Sequence, residues 1–454
     1  MEMIVIIWFL IFTKLLLFWL WLWQLKEYRL DRFQAHFESQ GLRKIISSFW
    51  RLKYPKFTKK IILIFLSCLA TEILLIFYFS LPWVVFLTIL FGPLLILFFQ
   101  IPTFIWQRNI IKRATQKRAE FGNLLVIGIT GSYGKTSVKE FLTTILSSKF
   151  KVLSTPAHQN TDIAIAQLIL RKLSQDIEIF IVEMAAYKKG EITSPCQIIS
   201  PKIGIVTGVN EQHLSTFRTM ENLLSAEGGK ELAESLPEDG MIFLNAKNKY
   251  CQELYQKTKI KKFLYGENAP LLMENLEGAK LVAKELGISD EEIERVCQKI
   301  KNKLPGIEIK KGINEITIID ATYSANPDGV ISHLEYLRIW PGKKVIVMPC
   351  LIELGKASKK IHKEIGRKIG EVCDLCIITS RERFQEIGEG AREKGMKGKN
   401  ILFTDRPKEI FEKIKTFCRS AVESPARSID DVVLLESRVP HQLISLLVIG
   451  DQYV

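Results

Sequence analysis

One stretch of this chain leaves it little freedom of fold. Leu124-Leu-Val-Ile-Gly-Ile129 is an apolar run of buried-strand length, it passes directly into Thr130-Gly-Ser-Tyr-Gly-Lys-Thr-Ser137, and a helical pattern runs from Val138 to Leu146. Strand, glycine turn and helix in immediate succession make the phosphate-cradling unit of a parallel α/β sheet. Gly131 and Gly134 let backbone amides close around phosphate oxygens, and the helix N-terminus adds partial positive charge. Lys135 is placed to reach the β and γ phosphates of ATP, and the Thr136 hydroxyl to bind Mg²⁺. The usual turn carries a glycine five residues before Gly134, where Ile129 stands, so this loop is a variant that turns on Gly131.

Two more apolar strands end in groups that suit the same site. Ile179 to Val182 ends in Glu183, and Ile203 to Thr207 is followed by Gly-Val-Asn-Glu-Gln-His213. In a parallel sheet both lie at the carboxyl edge, beside the phosphate loop. A carboxylate and an imidazole there can hold metal against the γ-phosphate, which makes Thr136, Glu183 and His213 the candidate metal ligands.

The rest of the soluble part alternates short apolar strands with amphipathic helices. Leu304-Pro-Gly306 marks a boundary, after which strands are expected at 316–319, 344–348, 375–379, 401–403 and 432–435. The eight cysteines are scattered, and the close pair Cys373 and Cys376 lies in an apolar stretch with no second pair or histidine at ligand spacing. They read as buried apolar residues in a reducing compartment rather than as a disulfide framework or a zinc site.

Before residue 105 the chain has a different character. Met3 to Trp23 is almost wholly apolar, and Ile61 to Ile101 is a long apolar run broken at Pro82. A spanning helix needs about 20 residues, so three crossings are expected, the last two as a hairpin. The first lacks a basic start and a small-residue cleavage site and reads as a retained anchor. The net charge of +14 would ordinarily suggest nucleic acid, but +10 of it falls within residues 1–120, beside these segments. That placement disfavours a nucleic-acid surface and puts the basic stretches 26–60 and 108–118 on the cytoplasmic side, with everything after about residue 105 in the cytoplasm. Lys14 and Glu72 each lie about eleven residues into oppositely running helices, so an ion pair near the midplane is expected. The aromatic and basic segment from Gln24 to Phe37 reads as a helix on the anionic inner leaflet, or as a contact for the headgroup of a lipid-linked substrate.

The ordered motifs resemble the Mur ligase superfamily, most nearly its D-alanyl-D-alanine-adding branch. They are Gly128-Ile-Thr-Gly-Ser-Tyr-Gly-Lys-Thr136, Asn160-Thr161, Val182-Glu-Met-Ala-Ala-Tyr-Lys-Lys-Gly-Glu-Ile192, Val206-Thr-Gly-Val-Asn-Glu-Gln-His-Leu214 and Leu236-Pro-Glu-Asp-Gly240. Asn275, Ile319-Asp-Ala-Thr-Tyr-Ser-Ala-Asn-Pro-Asp328, Glu353-Leu-Gly355 with His362, and Asp431-Val-Val-Leu-Leu-Glu-Ser-Arg438 continue the match. The resemblance covers about 120–454 and implies an α/β architecture: a membrane anchor over 1–105 with three transmembrane helices, a P-loop central ATP-binding domain over 106–304, and a Rossmann-like C-terminal domain over 305–454. It implies an ATP- and Mg²⁺-dependent ligase that turns a carboxylate into an acyl phosphate and joins it to an amine, with hinge motion near 305–325. By position, Lys135 and His213 would serve catalysis, and Gly131, Ser132, Gly134, Lys135, Thr136 and Ser137 would hold the phosphates. Asn275 would contact adenine, and Asp320, Tyr323 and Asn326 would face the nucleotide across the cleft, with Glu353, His362 and Arg438 also turned toward it.

The departures are equally specific. Apolar segments stand where the family places its UDP-sugar domain, and the arginine of Pro-Gly-Arg is Ile307. The stretch between Tyr255 and Asn275 is shorter than in the family. The family's lysine, commonly carbamylated to bind a second metal, falls at Gly229, so Lys230 is the candidate for that catalytic role. The expected partners are ATP, a cell-wall peptide precursor that is soluble or lipid-linked, an amino acid or dipeptide, and the membrane. Two other readings stay open: a poly-γ-glutamate synthase-type ligase and a non-catalytic nucleotide-binding membrane scaffold.

Overall fold

The structure, a computed structural model, describes residues 2–25, 54–80, 83–84, 87, 98–157, 159–270, 272–300, 307–322, 326–419 and 431–453. The chain divides into two compact units, Met1–Arg113 and Ala114–Val454.

The first unit holds the helices Glu2–Leu25 and Lys59–Tyr78, and each contains a stretch long and apolar enough to cross a membrane. They pack through Phe12, Leu16, Leu20 and Trp23 on one and Ile61, Ile64 and Cys68 on the other. The Gln24 side chain exchanges two hydrogen bonds with the backbone of Lys56, at 3.0 and 2.7 Å, fixing where the second helix enters. Thr58 caps that helix by accepting from Ile61 N at 3.3 Å. Glu72 is buried and accepts from Trp8 Nε1 at 2.7 Å, so an indole is one partner of this carboxylate. Most of the expected third crossing and of the Gln24–Phe37 segment lies outside the described residues.

In the second unit the first sheet contains β1 (Leu125–Thr130), β2 (Val152–Ser154), β3 (Ile179–Glu183), β4 (Ile203–Val206), β5 (Met241–Asn245) and β6 (Lys261–Tyr265). They are parallel and ordered β2-β3-β1-β4-β5-β6. β1, β3 and β4 are buried along nearly their whole length, as strands covered on both faces must be. Ile127, Ile129, Ile181, Ile205 and Phe243 pack there with Val138, Leu142 and Ile145 of the helix Lys135–Leu146. Each such burial contributes about 1.5 to 3 kcal/mol. The strand order reverses at β1, and the crevice of a parallel sheet opens at such a reversal.

The second sheet contains β7 (Glu308–Gly312), β8 (Thr317–Ala321), β9 (Lys344–Met348), β10 (Leu375–Ile378), β11 (Ile401–Phe403), β12 (Val432–Glu436) and β13 (Val448–Tyr453), ordered β11-β10-β9-β12-β8-β7-β13. β8 through β12 are parallel, while β7 runs antiparallel to β8 and β13 antiparallel to β7. The five expected strands are therefore joined by an antiparallel edge that the sequence did not announce.

Two basic residues read from the sequence as part of the topological charge have work inside this unit. Lys117 Nζ donates to the carbonyls of Ile169 and Leu170 at 3.0 and 3.1 Å, in the last turn of the helix Asp162–Lys172. Arg118 Nε donates to Ile199 O at 2.9 Å, in the last turn of the helix Thr193–Ile199. Both neutralise carbonyls at the negative end of a helix dipole. The eight cysteines are all buried and free of disulfides.

Candidate active site

The phosphate loop follows β1 at the reversal point, and its glycines are required by geometry. Gly131 has φ +141°, and a Cβ there would lie 2.2 Å from Thr207 Oγ1. Gly134 has φ +75° and faces the Asn275 amide, whose nitrogen would be 2.7 Å from an added Cβ. Gly134 also caps the helix Lys135–Leu146 without a side chain, so the first-turn amides carry no side-chain acceptor. An uncapped N-terminus behind a glycine turn is suited to an anion. Thr207 Oγ1 donates to the Tyr133 carbonyl, and Ser132 N donates to Gly208 O at 2.8 Å, which anchors the loop to the end of β4.

Lys135 folds over this loop, its ammonium on the carbonyls of Gly131 and Ser132. Thr136 Oγ1 donates to Glu183 Oε2 at 3.0 Å. The register of β1 against β3 pairs Ile129 with Glu183, which delivers the carboxylate beside the loop. Lys139 Nζ reaches the same Oε2 at 3.0 Å, Asn160 Nδ2 donates to Oε1 at 3.1 Å, and the backbone amide of Glu183 donates to Thr155 Oγ1 at 3.0 Å. Burial alone would push the Glu183 carboxyl up, but Lys139, Asn160 and Lys135 outweigh it and hold it below the usual carboxylate range.

His213 reaches the loop through Glu227. Its Nδ1 lies 2.7 Å from Glu227 Oε1, and Glu227 Oε2 accepts from Ser132 Oγ at 2.7 Å. Burial would again raise the Glu227 carboxyl, and His213, Lys135 and Ser132 hold it low. Asn210 joins these parts to the C-terminal domain. Its backbone N donates to Ser132 Oγ at 3.2 Å, and its Nδ2 donates to Asp328 Oδ2 at 2.8 Å and to Asn326 Oδ1 at 3.4 Å. A second junction is the bond from Ser215 N to Glu353 O at 3.1 Å.

Lys135, Thr136, Glu183 and His213 are thus gathered around one loop, with Gly131, Ser132 and Gly134 forming it and Ser137 half-buried in the first helical turn. Asn275 Oδ1 is buried against Gly134 with no hydrogen-bond partner among the described residues, an acceptor suited to an amino group such as that of adenine. Asn326 sits on the seam and caps its own helix by accepting from Gly329 N at 2.8 Å. Asp320 is occupied by Lys310 at 2.7 Å and by the Thr322 hydroxyl at 2.6 Å. Tyr323 lies outside the described residues.

Two expectations require correction. Lys230 is 62% exposed and paired with Glu234 at 3.8 Å, so it is not brought to His213. The helix Lys230–Ser235 starts on Gly229, and its first side chain points outward. His362 is fully buried, with Nε2 accepting from Leu351 N at 2.9 Å and Nδ1 on the Ser358 carbonyl at 2.6 Å. It holds a loop to a helix and does not face the cleft, and Arg438 is exposed. Sequence reading gave no role to Glu227, Lys139 or Asn210. Asn210 stood inside the motif that ends in His213, and Lys139 follows Lys135 by one helical turn and shares its face.

Among the described residues no three His, Cys, Asp or Glu side chains converge into a ready metal cage. The available donors are Thr136 with Glu183, and His213. A hard cation that takes most of its ligands from phosphate and water fits that sparse set, and Mg²⁺ binds in this way.

Comparison with known proteins agrees with this geometry. Residues 129–309 match the Mur ligase middle domain and residues 307–438 the Mur ligase glutamate ligase domain. The chain is 23% identical over 323 residues to the UDP-N-acetylmuramoyl-tripeptide–D-alanyl-D-alanine ligase of Bacillus subtilis (strain 168), an alignment covering 64% of this chain and 70% of that one. The corresponding Synechocystis enzyme is 26% identical over 271 residues, covering 54% of this chain and 59% of its own length. The chain thus spans about three fifths to seven tenths of these relatives. The MurF ligase of Thermotoga maritima, solved in complex with ADP, superposes with a TM-score of 0.61 at 23% identity, covering 75% of this chain and 83% of that one, so the fold is shared.

Proposed function

The chain belongs to the Mur ligase family through consecutive middle and glutamate ligase domains, and we propose that it is an ATP-dependent ligase of the D-alanyl-D-alanine-adding kind, held at a membrane. The observation that carries the reading is the convergence of Lys135, Thr136 and Glu183 on one glycine loop at the reversal point of the sheet, with the second domain hydrogen-bonded across it through Asn210.

In this reading a carboxylate oxygen of the peptide precursor attacks the γ-phosphorus of ATP, the bond to the β-phosphate oxygen breaks, and ADP leaves. The amine, as its free base, then attacks the acyl carbon, phosphate departs with the bonding pair, and the nitrogen gives up a proton to the departing phosphate as the amide forms. Neither step asks the protein for covalent help; both ask for position and charge neutralisation. The first-turn amides and Lys135 would hold the phosphates, and Asn275 would accept from the adenine amino group. Mg²⁺, held by Thr136 and Glu183 with His213 facing a second ion, would supply Lewis-acid stabilisation of the transferring phosphoryl group. Lys139 and Asn160 would keep Glu183 ionised and aimed.

The two apolar helices would anchor the chain in the membrane with the catalytic domains in the cytoplasm, so that a lipid-linked precursor could meet the site at the bilayer surface. The test is ADP release by detergent-solubilised protein, with soluble or lipid-linked muramoyl peptide as acceptor and D-alanyl-D-alanine or glutamate as amine. D-alanyl-D-alanine is expected to stimulate release, and Lys135→Ala to slow it by about 100-fold or more. Stimulation by glutamate alone would favour the poly-γ-glutamate type of ligase, and nucleotide binding without amine-dependent release would favour the scaffold. Equal rates with soluble and lipid-linked acceptors would count against a lipid-linked substrate.

A further inference from the structure

Glu227 belongs to none of the motifs that mark the nucleotide site, yet two of that site's parts meet on its carboxylate. Its side chain is 1% exposed, with Oε1 2.7 Å from His213 Nδ1 and Oε2 2.7 Å from Ser132 Oγ. A carboxylate can only accept from these neighbours, so His213 Nδ1 carries a proton and, in the neutral ring, Nε2 keeps its lone pair. Nε2 has no protein partner among the described residues. The ring also packs edge-on against Tyr187, centroids 5.3 Å apart, which leaves the imidazole little rotational freedom.

The turn that delivers Glu227 leaves no place for a lysine to do the same work. Gly229 has φ +84°, and a Cβ there would lie 2.4 Å from Val206 Cγ2. Lys230, the next residue, points to solvent and pairs with Glu234.

We propose that Glu227 is a positioning residue for a divalent metal: it fixes His213 with Nε2 presented as the ligand, ties that imidazole to Ser132 of the phosphate loop, and makes a modified lysine unnecessary. The inference rests on reading the site as one for ATP and Mg²⁺. A carboxylate behind a metal-binding histidine sets its tautomer and raises its basicity, and loss of such a partner typically weakens metal binding about 10- to 100-fold. Here the same carboxylate also holds the loop hydroxyl, so His213 cannot turn away without disturbing the phosphate cradle.

The test is a Mn²⁺ titration, followed by the electron paramagnetic resonance of the free ion, on the full chain in detergent saturated with ADP. It is run in a Lys139→Met, Glu183→Gln background, which weakens the other metal donor without leaving a buried lysine unpaired, with and without bicarbonate. Glu227→Gln keeps the shape and can keep both hydrogen bonds without the charge, while Glu227→Ala removes everything. Mn²⁺ affinity is expected to fall about 10-fold in the first and about 100-fold in the second. ADP affinity stays within about two-fold, and bicarbonate depletion changes nothing. Unchanged Mn²⁺ binding in both variants overturns the proposal, as does Mn²⁺ binding that needs bicarbonate. An equal loss of ADP and Mn²⁺ affinity in Glu227→Gln overturns it too, since that marks a merely structural residue. If the parent chain binds no ADP, or Lys135→Ala leaves ADP affinity unchanged, the nucleotide reading itself fails and takes the inference with it, an outcome separate from the others.

Discussion

Lys139 is the cation that the Glu183 carboxylate depends on. The two side chains are 4% and 5% exposed and 3.0 Å apart. Taking away one member of such a pair leaves the other charge buried and uncompensated, at a cost of about 3 to 5 kcal/mol, whereas replacing both with neutral groups costs far less. Lys139→Met should therefore lower the urea-unfolding free energy by about that amount, and Lys139→Met with Glu183→Gln should recover most of it without recovering amine-dependent ADP release. A double mutant no more stable than Lys139→Met would show that the two charges are not coupled. Residues that announce themselves by type and spacing, such as Lys135, Thr136, Glu183 and His213, were legible in the sequence. Glu227 was not, because an acid flanked by Ala226, Gly228 and Gly229 looks like a solvated turn, and its burial depends on a chain reversal that spacing does not reveal.

At the scale of elements, legibility followed burial. β3 and β12 are buried at every position and read directly as apolar runs. β7, Glu-Ile-Lys-Lys-Gly, is exposed or half-exposed over most of its length and carries three charged side chains although it is paired on both sides by β8 and β13, so no apolar run or periodicity marked it. The helix Ser358–Val372 illustrates a motif residue whose meaning changed. His362, read as cleft-facing, ties this helix to the loop after β9. Burial pushes its imidazole below the ordinary histidine value, with the Ser358 carbonyl opposing. In the unfolded chain the ring takes a proton near pH 6.5. Its contribution is therefore complete above that pH and is lost as the pH falls toward the lower folded value. His362→Gln, which can still accept from Leu351 N, should make the melting temperature of the solubilised chain less sensitive to pH between about 7 and 5. Parallel profiles for the parent and the variant would refute this.

At the scale of the molecule, Asn210 makes two polar bonds between the middle and C-terminal domains. The Asp328 carboxyl it touches is raised by burial, against the opposing pull of Asn210, with Glu211 raising it further. A bond to such a group is worth about 1.5 to 3 kcal/mol. Asn210→Ala should lower the rate of amide formation about 10-fold or more while ADP affinity changes less than about three-fold, measured by coupled ADP release and equilibrium binding. An equal loss in both would place Asn210 in the nucleotide site alone. Because Asn210 contacts Ser132 through its backbone and Asp328 through its side chain, the seam and the phosphate loop share one residue. The two domains are therefore not interchangeable parts. A chimera that grafts the 307–438 segment of a relative onto this middle domain will keep its ATP site and lose its coupling, unless the graft brings an acceptor for the Asn210 amide and a carbonyl for Ser215 N. Recombined chains that keep both contacts are the ones expected to keep amide formation coupled to the ATP site.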